Sequence, residues 1–162
     1  MWLQLQRAVC KSTQAHQTSR QHSELKETTM FKFNALIPEL SVSDINKSLH
    51  FYLNILSFKI EYERKEDKFA FLSLGDSQIM IEEINGHWET GTLSYPFGRG
   101  MNFQIAVDCI DDLYRNIKAN DYPIKIEMKE NWYRADDQLV GQKEFLIMDP
   151  DGYLLRFAQE LE

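Results

Sequence analysis

The sequence predicts an α+β fold in which two tandem βαβββ modules form a curved mixed sheet, with the helices on its convex face. Three observations predict it. The order strand, capped helix, three strands occurs twice, over residues 31–84 and 101–160. A stretch with four glycines, a proline and no hydrophobic period, residues 85–100, separates the copies. Inside the strand segments, apolar and polar residues alternate with the period of two that a half-buried strand requires. One such module buries too little apolar surface to be secure alone, so the halves must share a sheet or core.

Taken in order, "NALIPELSV" reads as a strand that ends at "SD", where Ser43 or Asp44 caps the next helix. "INKSLHFYLNIL" places Ile45, Leu49, Tyr52, Leu53 and Leu56 at helical spacing. "FKIEYER", "KFAFLSL" and "SQIMIEEI" follow as strands, broken at "KED" and "GD". In the second copy, "MNFQIAV" is a strand and "DCIDDLYRNIKAN" a capped helix. "YPIKIEM" is a strand, "KENWYRADDQ" a polar loop, and "QKEFLIM" and "YLLRFAQ" a closing pair around the turn "DPDG".

Alternation assigns the faces. Leu36, Leu40 and Val42 oppose Ala35, Ile37, Glu39 and Ser41. Met80, Glu82 and Ile84 oppose Ile79, Ile81 and Glu83, and Phe103, Ile105 and Val107 oppose Asn102, Gln104 and Ala106. In the last strand Leu155 and Phe157 oppose Leu154, Arg156 and Ala158. One face is mostly apolar and receives the helices. The other is expected to gather Glu39, Glu83, Asn102, Gln104 and Arg156, a mixture that suits a concave pocket rather than a sealed core. An ion pair of Arg156 with Glu39 or Glu83 is the structural alternative.

The chain of 162 residues carries a net charge of −7. The first 29 residues carry +2 (Arg7, Lys11, Arg20 and Lys26 against Glu24 and Glu27), leaving −9 on the rest. That balance argues against nucleic acid and favours a cationic partner. No apolar run approaches the ~18–20 residues of a membrane span, and a cytoplasmic location is expected. Cys10 and Cys109 make neither a zinc site nor a disulfide framework. Residues 1–29 lack a secretory h-region and read as a non-structural extension, a transit peptide being the alternative. The four histidines show no catalytic spacing. Asp149 and Asp151 read as turn residues.

The strand, "SDINKSLHFYLNILSF", three strands, and a second copy ending in "DPDGYLLRF" resemble the vicinal oxygen chelate superfamily over residues 34–160. The family includes glyoxalase I, extradiol dioxygenases, fosfomycin-resistance enzymes and bleomycin-resistance proteins. The resemblance implies four metal-ligand positions, which fall at Ile37, Ile81, Asn102 and Arg156. Isoleucine offers no lone pair and arginine repels a cation, so no metal and no cofactor is expected. Among the non-metal members, the bleomycin-resistance proteins are the most similar. That likeness implies an acidic homodimer that exchanges its N-terminal strand at Pro38 and sequesters a flat cationic drug without chemistry. It places Glu61, Tyr62 and Phe69 at drug-contacting positions. Two stacking tryptophans of the family fall on Gln104 and near Val140, and Trp132 and Tyr133 are the candidates to replace them, with Trp88 a further one. The alternative is a metal-independent lyase or isomerase in which Glu39, Glu83 or Arg156 handles a small anion.

Overall fold

The computed structural model describes residues 32–161, so the extension expected over 1–29 lies outside the described residues. The first module runs β1 (Glu39–Val42), α1 (Ile45–Leu49, continuing as a π-helical stretch His50–Ile55), β2 (Lys59–Arg64), β3 (Phe69–Leu74) and β4 (Ser77–Glu83). The second runs β5 (Asn102–Ala106), α2 (Ile110–Ala119), β6 (Ile124–Ala135), β7 (Gln138–Met148) and β8 (Leu154–Leu161). The duplicated βαβββ order is therefore present. Its strands form two four-stranded mixed sheets, ordered β1-β4-β3-β2 and β5-β8-β7-β6, with a parallel pair at one edge of each.

Asp44 caps α1, accepting from the backbone N–H groups of Asn46 and Lys47 at 2.9 and 3.1 Å. The helix then widens by one residue per turn, and Leu56 N–H donates to Phe51 C=O at 3.1 Å. Ser57 leaves it at φ 64°, a left-handed position where glycine is the unstrained residue. The helices lie over the apolar sheet faces, and one core joins both modules through Leu40, Val42, Phe51, Tyr52, Ile81, Ile105, Phe145, Leu155 and Phe157.

Polar bonds fix the junction between the modules. The buried Asp149 accepts from Tyr52 Oη (3.0 Å) with one oxygen and from the N–H groups of Asp151 and Tyr153 (3.0 and 2.8 Å) with the other. Asp151 accepts from Ser43 N–H, Tyr153 Oη donates to Ser41 C=O, and Asn116 donates to Ile55 C=O. The "DPDG" segment thus shapes its turn and also ties the second module to β1 and α1. Burial, partly countered by these hydrogen bonds, raises the Asp149 carboxyl to about 6.

Two elements differ from expectation. The strand expected across "NALIPELSV" is confined to Glu39–Val42. Pro38 has no N–H to give a ladder, although its C=O accepts from Met80 N–H at 2.8 Å. The expected loop "KENWYRADDQ" is mostly strand. β6 and β7 form one long hairpin that turns at Asp136 and Asp137. Its outer half is largely exposed on both faces, so no apolar alternation marks it, and ladder hydrogen bonds hold it instead.

Candidate functional site

Strand register decides which side chains share the face turned away from the helices. On the first sheet, one row across β2-β3-β4-β1 reads Arg64, Phe69, Glu82, Ser41, and the next reads Tyr62, Phe71, Met80, Glu39. Glu39, Tyr62 and Phe69 therefore share a surface. Glu83 does not. It pairs with Val42 on the helix side, accepts from Ile45 N–H at 3.2 Å and forms an ion pair with Lys68. Ile81, counted as a ligand position, also faces the helices beside Leu40 and Ala70. Glu82 and Met80 take the face expected of Glu83 and Ile81.

The aromatic residues of this face form a platform. Tyr62 stacks on Phe71 with centroids 5.3 Å apart and planes at 17°, and Phe33 meets Phe71 edge-on at 5.4 Å. The Arg64 guanidinium carbon lies 3.8 Å from the centroid of Phe69. Burial first, and then the charge of Glu82, raise the Glu39 carboxyl above its usual range, while Arg64 draws it down. Glu61 sits at the bulge of β2. Lys59 at 2.8 Å and Ser73 Oγ at 2.5 Å hold it ionised, so its charge is matched locally.

The second sheet has a different chemistry. One row reads Ile126, Leu146, Arg156, Gln104, and its neighbour carries Glu144 on β7. Arg156 donates to Gln104 Oε1, and its Nη1 lies 3.6 Å from Oε2 of the buried Glu144. Asn131 and Tyr133 each donate to the other Glu144 oxygen at 2.7 Å. Gln104 donates to Gln142 at 3.4 Å. Among the described residues, Arg156 Nε and Glu144 Oε2 are buried without a hydrogen-bond partner. Asn102 shares the face one row away, beside Leu154. Trp132 lies opposite Gly141 on the other face of the hairpin, where its ring would meet a Cβ on that glycine at 2.9 Å. Trp132 and Tyr133, the two candidates for the missing tryptophans, therefore lie on opposite faces of the hairpin.

Sequence reasoning missed Glu82, Phe71 and Arg64 on the first sheet and Glu144, Asn131 and Gln142 on the second. The apolar alternation of "QKEFLIM" already separated Glu144 from Phe145; its pairing with Arg156 depends on the β7–β8 register.

A divalent metal does not fit this donor set. The final-strand position is a guanidinium already paired with the nearest carboxylate, and the β4 position Ile81 faces the core. Among the described residues no helix is long and apolar enough to cross a membrane.

The sequence pattern of the Glyoxalase/Bleomycin resistance protein/Dioxygenase superfamily matches residues 32–157. A bleomycin resistance protein of Geobacillus stearothermophilus is 30% identical over 140 residues, covering 78% of this chain and 96% of its own. A probable lactoylglutathione lyase of Synechocystis sp. is 28% identical over 136 residues, covering 80% of this chain and 95% of its own. TioX of Micromonospora sp. ML1 shares the fold, with a TM-score of 0.63 at 15% identity over 80% of this chain and 100% of that one. The virulence protein STM3117 of Salmonella typhimurium does so too, with a TM-score of 0.58 at 21% identity over 82% and 100%. The chain belongs to the glyoxalase/bleomycin resistance protein/dioxygenase superfamily.

Proposed function

We propose that this protein binds a flat, cationic antibiotic of the bleomycin type and sequesters it without making or breaking a bond. The observation that carries this reading is the far face of the first sheet, where Tyr62, Phe69 and Phe71 lie beside Glu39 and Glu82. Aromatic faces stack a planar ring and attract a cation, and the carboxylates add charge where water is partly excluded. The residues beyond the first 29 carry −9, a field that speeds the arrival of a cation and weakens with salt. The relatives named bleomycin resistance proteins support the same reading. A homodimer exchanging the segment before Pro38 is part of the proposal, with sedimentation equilibrium as its test. Calorimetric titration with metal-free and copper-loaded bleomycin tests the binding. Saturable heat at one drug per chain is expected, and no heat at high micromolar drug overturns it.

A second reading has one observation in its favour. Among the described residues, Arg156 Nε lies buried with no acceptor, as an anion-handling lyase or isomerase would use it. The relatives named probable lactoylglutathione lyases support it. Against it, Glu144 already matches the charge of Arg156. Stabilisation by small carboxylates, abolished in Arg156→Ala, would favour this reading over the first.

A further inference from the structure

We propose that Arg64 is the resident occupant of a planar-cation seat on the first sheet, and that a ligand's flat cationic group takes its place. The proposal rests on the reading that this face binds ligand. Three observations point to it. The guanidinium of Arg64 lies over Phe69, 3.8 Å from its centroid, as a bound amidinium or protonated heteroaromatic ring would lie. Phe69 is only 3% exposed, so the ring is a covered surface. Beyond that ring in the same row stands Glu82, nine-tenths buried, and Glu39 lies diagonally beside it on β1. No described residue donates a hydrogen bond to the Glu82 carboxylate; its interactions are the electrostatic ones with Glu39 and Arg64. A mostly buried glutamate that takes no hydrogen bond from a described residue, in one row with a guanidinium stacked on the ring between them, makes a place that a cation of that shape can occupy.

Arg64 is also placed to leave. Its Nε donates to Asp67 at 2.8 Å in the β2–β3 turn, and both side chains of that pair are about half exposed. The guanidinium can swing outward around this tether, since an exposed pair and a single cation–π contact hold it weakly. The class of ligand follows: a planar monocation such as an amidinium, a guanidinium or a protonated heteroaromatic ring, in preference to a compact ammonium.

The test titrates the full-length chain with benzamidine, a planar cation unrelated to any antibiotic. Arg64→Ala and Arg64→Gln should both bind it about fivefold more tightly than wild type, because the competitor is gone. Lys68→Ala removes an equal charge nearby, from a residue paired with Glu83 on the helix side, and should change affinity less than twofold. Glu82→Gln should abolish the gain when combined with Arg64→Ala. No gain in either Arg64 variant, or an equal gain in Lys68→Ala, overturns the proposal. The outcome separates from the antibiotic reading. Failure of bleomycin to bind wild type, with the Arg64 gain intact, leaves the seat standing without the drug. Bleomycin binding with no Arg64 gain leaves the drug standing without the seat.

Discussion

The two sheets share one topology and present two chemistries. The face of the first sheet is aromatic and acidic: Tyr62, Phe69 and Phe71 with Glu39 and Glu82. The face of the second is a charge-balanced network, Glu144 against Arg156, closed by Gln104, Asn131 and Tyr133. The two modules repeat one strand order and carry different side chains on the faces turned away from the helices. On the first sheet the cation near the carboxylates, Arg64, stacks on Phe69 and is tethered to the exposed Asp67; on the second, Arg156 faces the buried Glu144 directly. A free anion therefore gains little from Arg156 while Glu144 stands beside it.

The contrast breaks first at Glu144. Replacing it by alanine leaves Arg156 partly buried without its counter-charge and strands Asn131 and Tyr133, at a cost of about 3 kcal/mol. Chemical denaturation should show that loss, and small carboxylates should then stabilise the variant more than wild type. Glu144→Gln should cost less than Glu144→Ala, because the Asn131 and Tyr133 hydrogen bonds can survive.

The junction between the modules should respond to pH through Asp149. The folded Asp149 carboxyl titrates at about 6, above its ordinary value of 3.8, so between those two values the folded state holds a proton that the unfolded state has released. Stability from this group is fully present below about pH 4 and is lost as pH rises through 6. The loss amounts to about 3 kcal/mol, since each pH unit between the unfolded and folded values is worth on the order of 1.4 kcal/mol. Denaturation midpoints between pH 4 and 7 should flatten in Asp149→Asn; an unchanged slope would place the dependence elsewhere.

A smaller effect sharpens the contrast between the faces. Glu82→Gln should weaken binding of a planar cation about tenfold, or about 1.4 kcal/mol. Gln104→Ala on the second sheet should change it less than threefold. The smallest effect belongs to the helix exit: Ser57→Gly relieves a left-handed backbone and should add about 1 kcal/mol of stability. A thermal melt would register it as a small upward shift with binding unaltered.

How much of this was legible depended on whether a partner strand was needed to read it. The duplication, the Asp44 cap, and the faces of Phe103, Ile105, Gln104 and Arg156 follow from local period and turn chemistry. The far face of β4 was misread because Glu82 and Glu83 are adjacent and identical in type. Alternation cannot say which points inward, and only the β1–β4 register does. The outer half of β6 was read as loop because water bathes both its faces, so its strand character comes from β7. The pairing of Glu144 with Arg156 lies diagonally across β7 and β8, beyond any single-strand pattern. The dual role of Asp149 was invisible for a similar reason: its partner Tyr52 stands 97 residues earlier.

On the proposed reading, the first sheet takes the ligand's flat cation and the second supports it without net charge. Parallel calorimetric titrations of metal-free bleomycin into wild type, Phe69→Leu and Arg156→Ala test that division most directly. Phe69→Leu keeps apolar bulk but loses the aromatic face, and should weaken binding about tenfold. Arg156→Ala should stay within about threefold of wild type. Loss of binding in Arg156→Ala with Phe69→Leu unaffected would contradict it.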